Sequence, residues 1–179
     1  MDFTGLSYQI HQDNIAAGWW KVLDGVTQPR NIGELLCLVH SEISEGWTGL
    51  NQMDDHLPHR LMPEVEMADA SIRVLDILGY YGVEVGEITA TERAWATRGS
   101  RDFTYGLMHS MVSNAMEGFR KGRVEDGIGC LKGLLLLIVQ YCDEADFDLA
   151  GAISEKRAYN RNRLDHKPEN RAKAGGKAF

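Results

Sequence analysis

A chain of 179 residues that is 44% hydrophobic and 25% charged is long enough to bury a core as one globular domain, or as two halves sharing one. Its net charge of −7 excludes a protein that coats a nucleic-acid polymer, which needs clustered Lys and Arg against phosphate. The longest apolar run, Leu134 to Val139, is too short to cross a bilayer, and the N-terminus lacks a basic segment followed by an apolar one, so the expected setting is cytoplasmic with no membrane partner.

In chain order, apolar spacing of the i, i+3, i+4, i+7 kind predicts a first helix around Tyr8 to Leu23, carrying Trp19 and Trp20. Asn31 is an N-cap candidate with Glu34 three residues on, and opens a second helix through Leu36, Val39, Ile43 and Trp47 to about Leu50. Gln52 to Met62 is polar, contains a proline and reads as a loop. Pro63 suits the first turn of a third helix, which runs to about Tyr81 before Gly82 ends it. Further helices are predicted near Val85 to Thr97, Phe103 to Arg120, Val124 to Cys142 and Leu149 to Asn162, with a basic, Gly-rich tail from Lys167 to Phe179. No convincing strand emerges, so the predicted class is all-α. Cys37, Cys130 and Cys142 each fall in an apolar helical stretch and read as buried core thiols.

Short matches raise the question of an internal repeat. His40 to Gly46 (HSEISEG) pairs with His109 to Ala115 (HSMVSNA), Val74 to Tyr80 with Leu135 to Tyr141, and Arg93 to Trp95 with Arg157 to Tyr159. Order is kept and the offsets differ by loop-sized amounts. Duplication and chance stay open as explanations. If the repeat is real, the carboxylates of one half are not repeated in the other, because Glu42 and Glu45 face Met111 and Asn114, and Glu66 and Asp69 face Gly127 and Cys130. One half would then hold metal and the other complete the bundle.

Chemistry concentrates in the second and third helices. Glu42 and Glu45 stand three apart on one helix face, as do Glu66 and Asp69 on the next. The intervening loop lets the two helices form an antiparallel hairpin, so the pairs can face each other. Any single ExxE is usually a solvated face, but these pairs border apolar stripes, and four clustered carboxylates repel strongly unless cations sit among them. A di-iron bundle would use ExxH pairs, and His40 is in the wrong register for one. Lys156, Asn160 and Arg163 share one face of the last helix, as phosphate and sugar or base ligands or as a solvated basic helix end.

ExxE followed by ExxD on paired helices resembles the metal signature of the all-α NTP pyrophosphatases, the MazG-like proteins, dimeric dUTPases and dCTP pyrophosphatases. Leu57 to Arg60 (LPHR), Glu64 to Asp76 (EVEMADASIRVLD) and the ending from Lys156 to Phe179 resemble MazG-like proteins of bacteria and their phages. The likeness spans about 31 to 81 and 149 to 179; the stretch from 98 to 148 carries no assignable motif. It implies an all-α helical bundle over residues 1–165, with a metal-bearing half near 31–97, a degenerate half near 98–162, and a tail from 166. It implies Mg²⁺, or Mn²⁺ in its place, on Glu42, Glu45, Glu66 and Asp69, with Glu42 or Glu45 activating water. It implies Lys156, Asn160 and Arg163 on the substrate, helped by Arg161, Lys167, Arg171 and Lys173. The expected reaction is hydrolysis of a (deoxy)nucleoside triphosphate to monophosphate and pyrophosphate, in a homodimer or higher homo-oligomer. The alternatives are a narrow dUTP, dCTP or alarmone hydrolase, and a non-catalytic nucleotide sensor or adaptor.

Side chains around these motifs have less determined roles. Asp76 reads as a group behind the metal ligands or as a polar edge, and Arg73 as its i, i+3 partner or a substrate ligand. Trp19, Trp20 and Trp47 read as core aromatics before base-stacking ones. His40 is expected to pack near the metals, and His59 and Arg60 to be solvated or to touch phosphate.

Overall fold

The computed structural model describes residues 1–89 and 100–162. They form six α-helices and one short hairpin: α1 (Leu6–Ala16), β1 (Val22–Leu23), β2 (Val26–Thr27), α2 (Ile32–Thr48), α3 (Met62–Tyr80), α4 (Arg101–Arg120), α5 (Val124–Glu144) and α6 (Leu149–Asn162). Five of the seven predicted helices match within three residues at each end. Among the described residues no helix is long and apolar enough to cross a membrane.

Helix α1 stops earlier than its apolar spacing suggests. Gly18 adopts φ +75, and the amides of Ala17, Gly18 and Trp19 turn back onto the carbonyls of Asp13, Ile15 and Asn14, which closes the helix end. Trp19 and Trp20 therefore leave the helix. Next comes the antiparallel pair β1–β2, joined at Asp24 and Gly25, both at positive φ. An Asp-Gly turn of this kind is the strongest short hairpin signal, and it marks a strand pair that apolar periodicity alone overlooks. The predicted helix at Val85 is not formed over Val85–Thr89. That stretch runs extended beside the N-terminus, with Phe3 donating to Gly86 and Ile88 to Met1, and Gly86 at φ +72. The rest of that predicted helix, 90–97, lies outside the described residues, as does the tail.

Asn31 caps α2 by accepting the Gly33 amide at 2.9 Å, and its side-chain amide donates to Glu34 at 3.3 Å. One face of α2 buries Leu35, Leu36, Val39, Glu42, Ile43 and Gly46. Cys37 points the other way and is exposed; Cys130 is half-buried, and Cys142 alone is the buried thiol expected of all three.

Helix α3 is the centre of the molecule. It packs against α1, α2, α5 and α6, and fourteen of its nineteen residues are buried. A helix covered all round normally carries apolar side chains throughout. This one also buries Glu64, Glu66 and Asp76, so each polar group must find a partner or a function.

Hairpins α2–α3 and α4–α5 pack together along α2–α4 and α3–α5. At the α2–α4 seam the rings of His40 and His109 stack with centroids 4.9 Å apart and Nδ1 atoms at 2.7 Å. These are the two histidines that begin the matched HS segments, so the sequence match coincides with the packing register.

Candidate metal centre and adjoining pocket

Helices α2 and α3 come together at Gly46, where a Cβ would lie 3.1 Å from Met67 Cε and 3.3 Å from Glu66 Cβ. This close approach brings carboxylate oxygens of Glu42, Glu45 and Glu66 within 4.8 Å of one another. Glu42 and Glu66 are buried and Glu45 is exposed, so the cluster is sunk in the protein and open on one side. At that spacing an ionised pair repels by about 3 kcal/mol at an effective dielectric of 20. That is too costly for an ordinary surface arrangement and suits a hard divalent cation, which takes several oxygen ligands. One Glu66 oxygen, Oε2, is buried without a hydrogen-bond partner among the described residues.

Charges around the cluster are distributed in a definite way. Arg73 Nε donates to Glu42, not to Asp76 as its i, i+3 spacing suggests. Asp69 is set against Lys156 Nζ at 2.8 Å, and Lys156 also reaches His56 Nδ1 at 3.1 Å. Asp69 thus stands beside the three-carboxylate group, joined to the one lysine that α6 buries there. Burial pushes the Glu66 carboxyl well above the usual range, and the nearby Asp69 and Glu42 push the same way. Burial also raises Asp69; Lys156 opposes this and Glu42 adds to it. For Lys156, burial disfavours the charge, but the Asp69 carboxylate outweighs it and the ammonium is held above its ordinary value.

A cavity of about 390 Å³ begins at Asp69 and Arg73 and runs along α3 to Asp76 and Ile77. From Asp69 to Asp76 is two turns, about 10 Å at 1.5 Å per residue. Its walls are apolar in part (Ile10, Leu35, Leu38, Ile72), with Trp19 at one side and Asp13, Asn14, Arg157, Asn160 and Arg161 from α1 and α6. The volume lies in the range of small-molecule sites, and a largely apolar lining with a few convergent polar groups is their usual composition.

Of the sequence-predicted residues, Glu42, Glu45 and Glu66 converge, with Asp69 and Lys156 paired beside them. Asn160 lines the cavity, and its Oδ1 is buried with no partner among the described residues. Arg163, Lys167, Arg171 and Lys173 lie outside the described residues. Arg161 bonds to Asp13 at 3.0 Å. Asp76 is neither a ligand nor a solvated edge. It is buried, accepts both hydrogen bonds of Trp20 Nε1 at 3.0 Å, and sits 2.7 Å from His11 Nδ1. Trp20 is core, stacked on Tyr80 at 4.7 Å; Trp19 faces the cavity; Trp47 is 41% exposed. Arg60 is not solvated, since it clasps Glu64, Asp148 and Glu155, with His59 on Glu155 at 2.8 Å.

Sequence reasoning missed Asp13, Asn14, Arg157 and His56. Asp13 lies one turn beyond the buried Ile10, and Arg157 follows Lys156, but nothing in the spacing indicates that α1 and α6 meet across α3. Comparisons of the chain with protein-family models, curated proteins and solved structures found no match.

Proposed function

We propose that this chain is a Mg²⁺-dependent nucleoside triphosphate pyrophosphohydrolase of the MazG-like, all-α type. The observation that carries the reading is the placement of Asp69 and Arg73, which line a half-apolar cavity of nucleoside size and also neighbour the Glu42–Glu45–Glu66 cluster, Arg73 by its bond to Glu42. Polyanion chemistry at one end and apolar, amide-bearing walls at the other match the two ends of a nucleotide.

Glu42, Glu45 and Glu66 would hold the metal, with the buried Oε2 of Glu66 a ready donor atom and Asp69 joining them once released from Lys156. When bound, Mg²⁺ supplies charge neutralisation of the triphosphate and a more acidic water. The protein's residues do the rest. Arg73 pins Glu42, whereas Glu45 is exposed and, among the described residues, takes a side-chain hydrogen bond from Ser41 Oγ alone, at 2.8 Å, so Glu45 is the group that takes the proton of the attacking water. The water oxygen bonds to the α-phosphorus, the bond to the bridging oxygen breaks, and pyrophosphate leaves. In this reading Lys156, buried against Asp69 and His56, would hold a phosphate oxygen once the substrate competes for it.

The test is a panel of ribo- and deoxynucleoside triphosphates with Mg²⁺, with products separated by ion exchange. Monophosphate and pyrophosphate in equal amounts, turnover abolished by chelation, and a loss in kcat of about 10²–10⁴ for Glu45→Gln are the expected results. Absence of turnover on every nucleotide, or turnover indifferent to chelation and to Glu45→Gln, rejects the reading.

A further inference from the structure

The side of the cavity formed by α1 and α6 carries hydrogen-bonding groups that the hydrolysis of a triphosphate does not use. Asp13 on α1 and Arg157, Asn160 and Arg161 on α6 face each other across it. Arg157 Nη2 and Arg161 Nη2 both donate to one oxygen of Asp13, Oδ2, at 2.8 and 3.0 Å. Among the described residues the other oxygen, Oδ1, takes no hydrogen bond, and the side chain is 37% exposed toward the opening. Burial works against the charge on Asp13, but Arg157 and Arg161 outweigh it and keep the carboxyl below its ordinary range. Asp13 is therefore an anion, and an anion of this kind can only accept.

Two more groups point the same way. Asn160 Oδ1, also an acceptor, and Arg157 Nε, a donor, are both buried without a partner among the described residues. A purely structural clamp between α1 and α6 has no use for such orphans, because a buried polar atom without a partner loses its hydration and gains nothing in return. Such atoms lining a cavity are the mark of a wall built for a polar ligand edge.

We infer that Asp13, with Asn160, selects nucleotides whose base carries an exocyclic amino group, and excludes the keto counterpart. This rests on the cavity being the nucleotide site proposed above. Cytosine and adenine present an amino donor at C4 and C6, whereas uracil and thymine, and hypoxanthine among the purines, present a carbonyl at the corresponding position. A carbonyl set against the acceptor Oδ1 leaves both oxygens unpaired and repelling. A site built to bond a substrate N–H rejects the analogue lacking it by up to about 10⁴–10⁵. Arg157 Nε supplies the matching donor to a ring nitrogen or carbonyl beside the amino group.

The test compares kcat/KM for pairs in which a ring carbonyl replaces the amino group: dCTP with dUTP, and dATP with dITP. In each ring class that is turned over, the amino member is expected to be preferred by at least about 100-fold. Asp13→Asn, which keeps the shape and adds a donor, is expected to bring that ratio within about tenfold, with circular dichroism reporting the fold. A role confined to holding α1 on α6 would instead lower kcat/KM equally for both members of a pair. An equal or reversed preference in the wild type, or an unchanged ratio in Asp13→Asn, overturns the inference. If no triphosphate is hydrolysed, the pyrophosphohydrolase reading fails by itself. Calorimetric binding of dCMP against dUMP and of dAMP against dIMP then decides: amino-selective binding upholds the inference, and equal or undetectable binding of all four overturns it.

Discussion

Asp76 shows how one buried polar residue is understood only through its partners. Its position seven residues after Asp69 suggests a place near the metals, yet its carboxylate is taken up by α1 and the segment after it. There it takes Trp20 Nε1 on both oxygens and His11 Nδ1 on one. A carboxylate can only accept, so the His11 nitrogen facing it carries the hydrogen. Asp76→Ala strands two buried donors, each costing about 1–3 kcal/mol. The expected result is a loss of about 2–4 kcal/mol in urea unfolding, together with a change in Trp fluorescence as Trp20 leaves Tyr80. Asp76→Asn, which keeps one acceptor, is expected to lose less. The three glutamates of the acidic cluster, and Asp69 beside them, were legible in the sequence because i, i+3 spacing fixes a shared helix face. Arg73's bond to Glu42 was not, because it crosses between helices.

At the scale of the element, the helices that were read correctly are those whose ends carry local chemistry. Asn31 at the start of α2, Pro63 in the first turn of α3 and Ser100 before α4, which accepts the Phe103 amide, act within a turn of their own position. The end of α1 and the stretch after Val85 were misread because apolar spacing continued past glycines that had already turned the chain. Gly79 has a different role. A Cβ there would lie 2.3 Å from the Ser7 carbonyl oxygen and 2.7 Å from His11 Cβ, so α1 rests directly on the backbone of α3. Since the nearest obstacle is main chain, no rotamer change relieves it. Gly79→Ala is expected to cost about 1–3 kcal/mol in chemical denaturation. Because α1 carries Ile10, Asp13 and Asn14 into the cavity, nucleotide affinity should fall in this variant, while metal affinity measured by calorimetry stays close to wild type.

For the whole molecule, the joint between the two hairpins includes a titratable pair. Nδ1 of His109 and Nδ1 of His40 are 2.7 Å apart, a distance that requires one hydrogen between them and forbids two. Burial, then the neighbouring His40, lowers the pKa of His109 below its ordinary value. A histidine whose folded pKa is depressed contributes stability above its unfolded pKa, about 6.5, and that contribution is lost as pH falls through the folded value. The pair's own contribution is thus expected to decline from pH 7.5 to 5, while the raised carboxyls of Glu66 and Asp69 work in the opposite direction, so the stability lost in His109→Gln relative to wild type should shrink over the same window. Equal slopes in wild type and variant would remove this pair as the cause.

What the sequence determined by itself is what short-range geometry controls: an all-α class, most helix limits, and two pairs of carboxylates on adjacent helices. Periodicity and caps act within a few residues, so a linear reading captures them. The tertiary structure alone decided which charges meet. It set Lys156 against Asp69, Arg73 against Glu42, and Asp13 between Arg157 and Arg161, over separations of 31 to 148 residues. These pairings depend on α1, α2 and α6 packing around α3, and packing follows from complementary surfaces that no local spacing encodes. The acidic cluster was therefore visible from the outset, and the cavity beside it only once the helices were assembled.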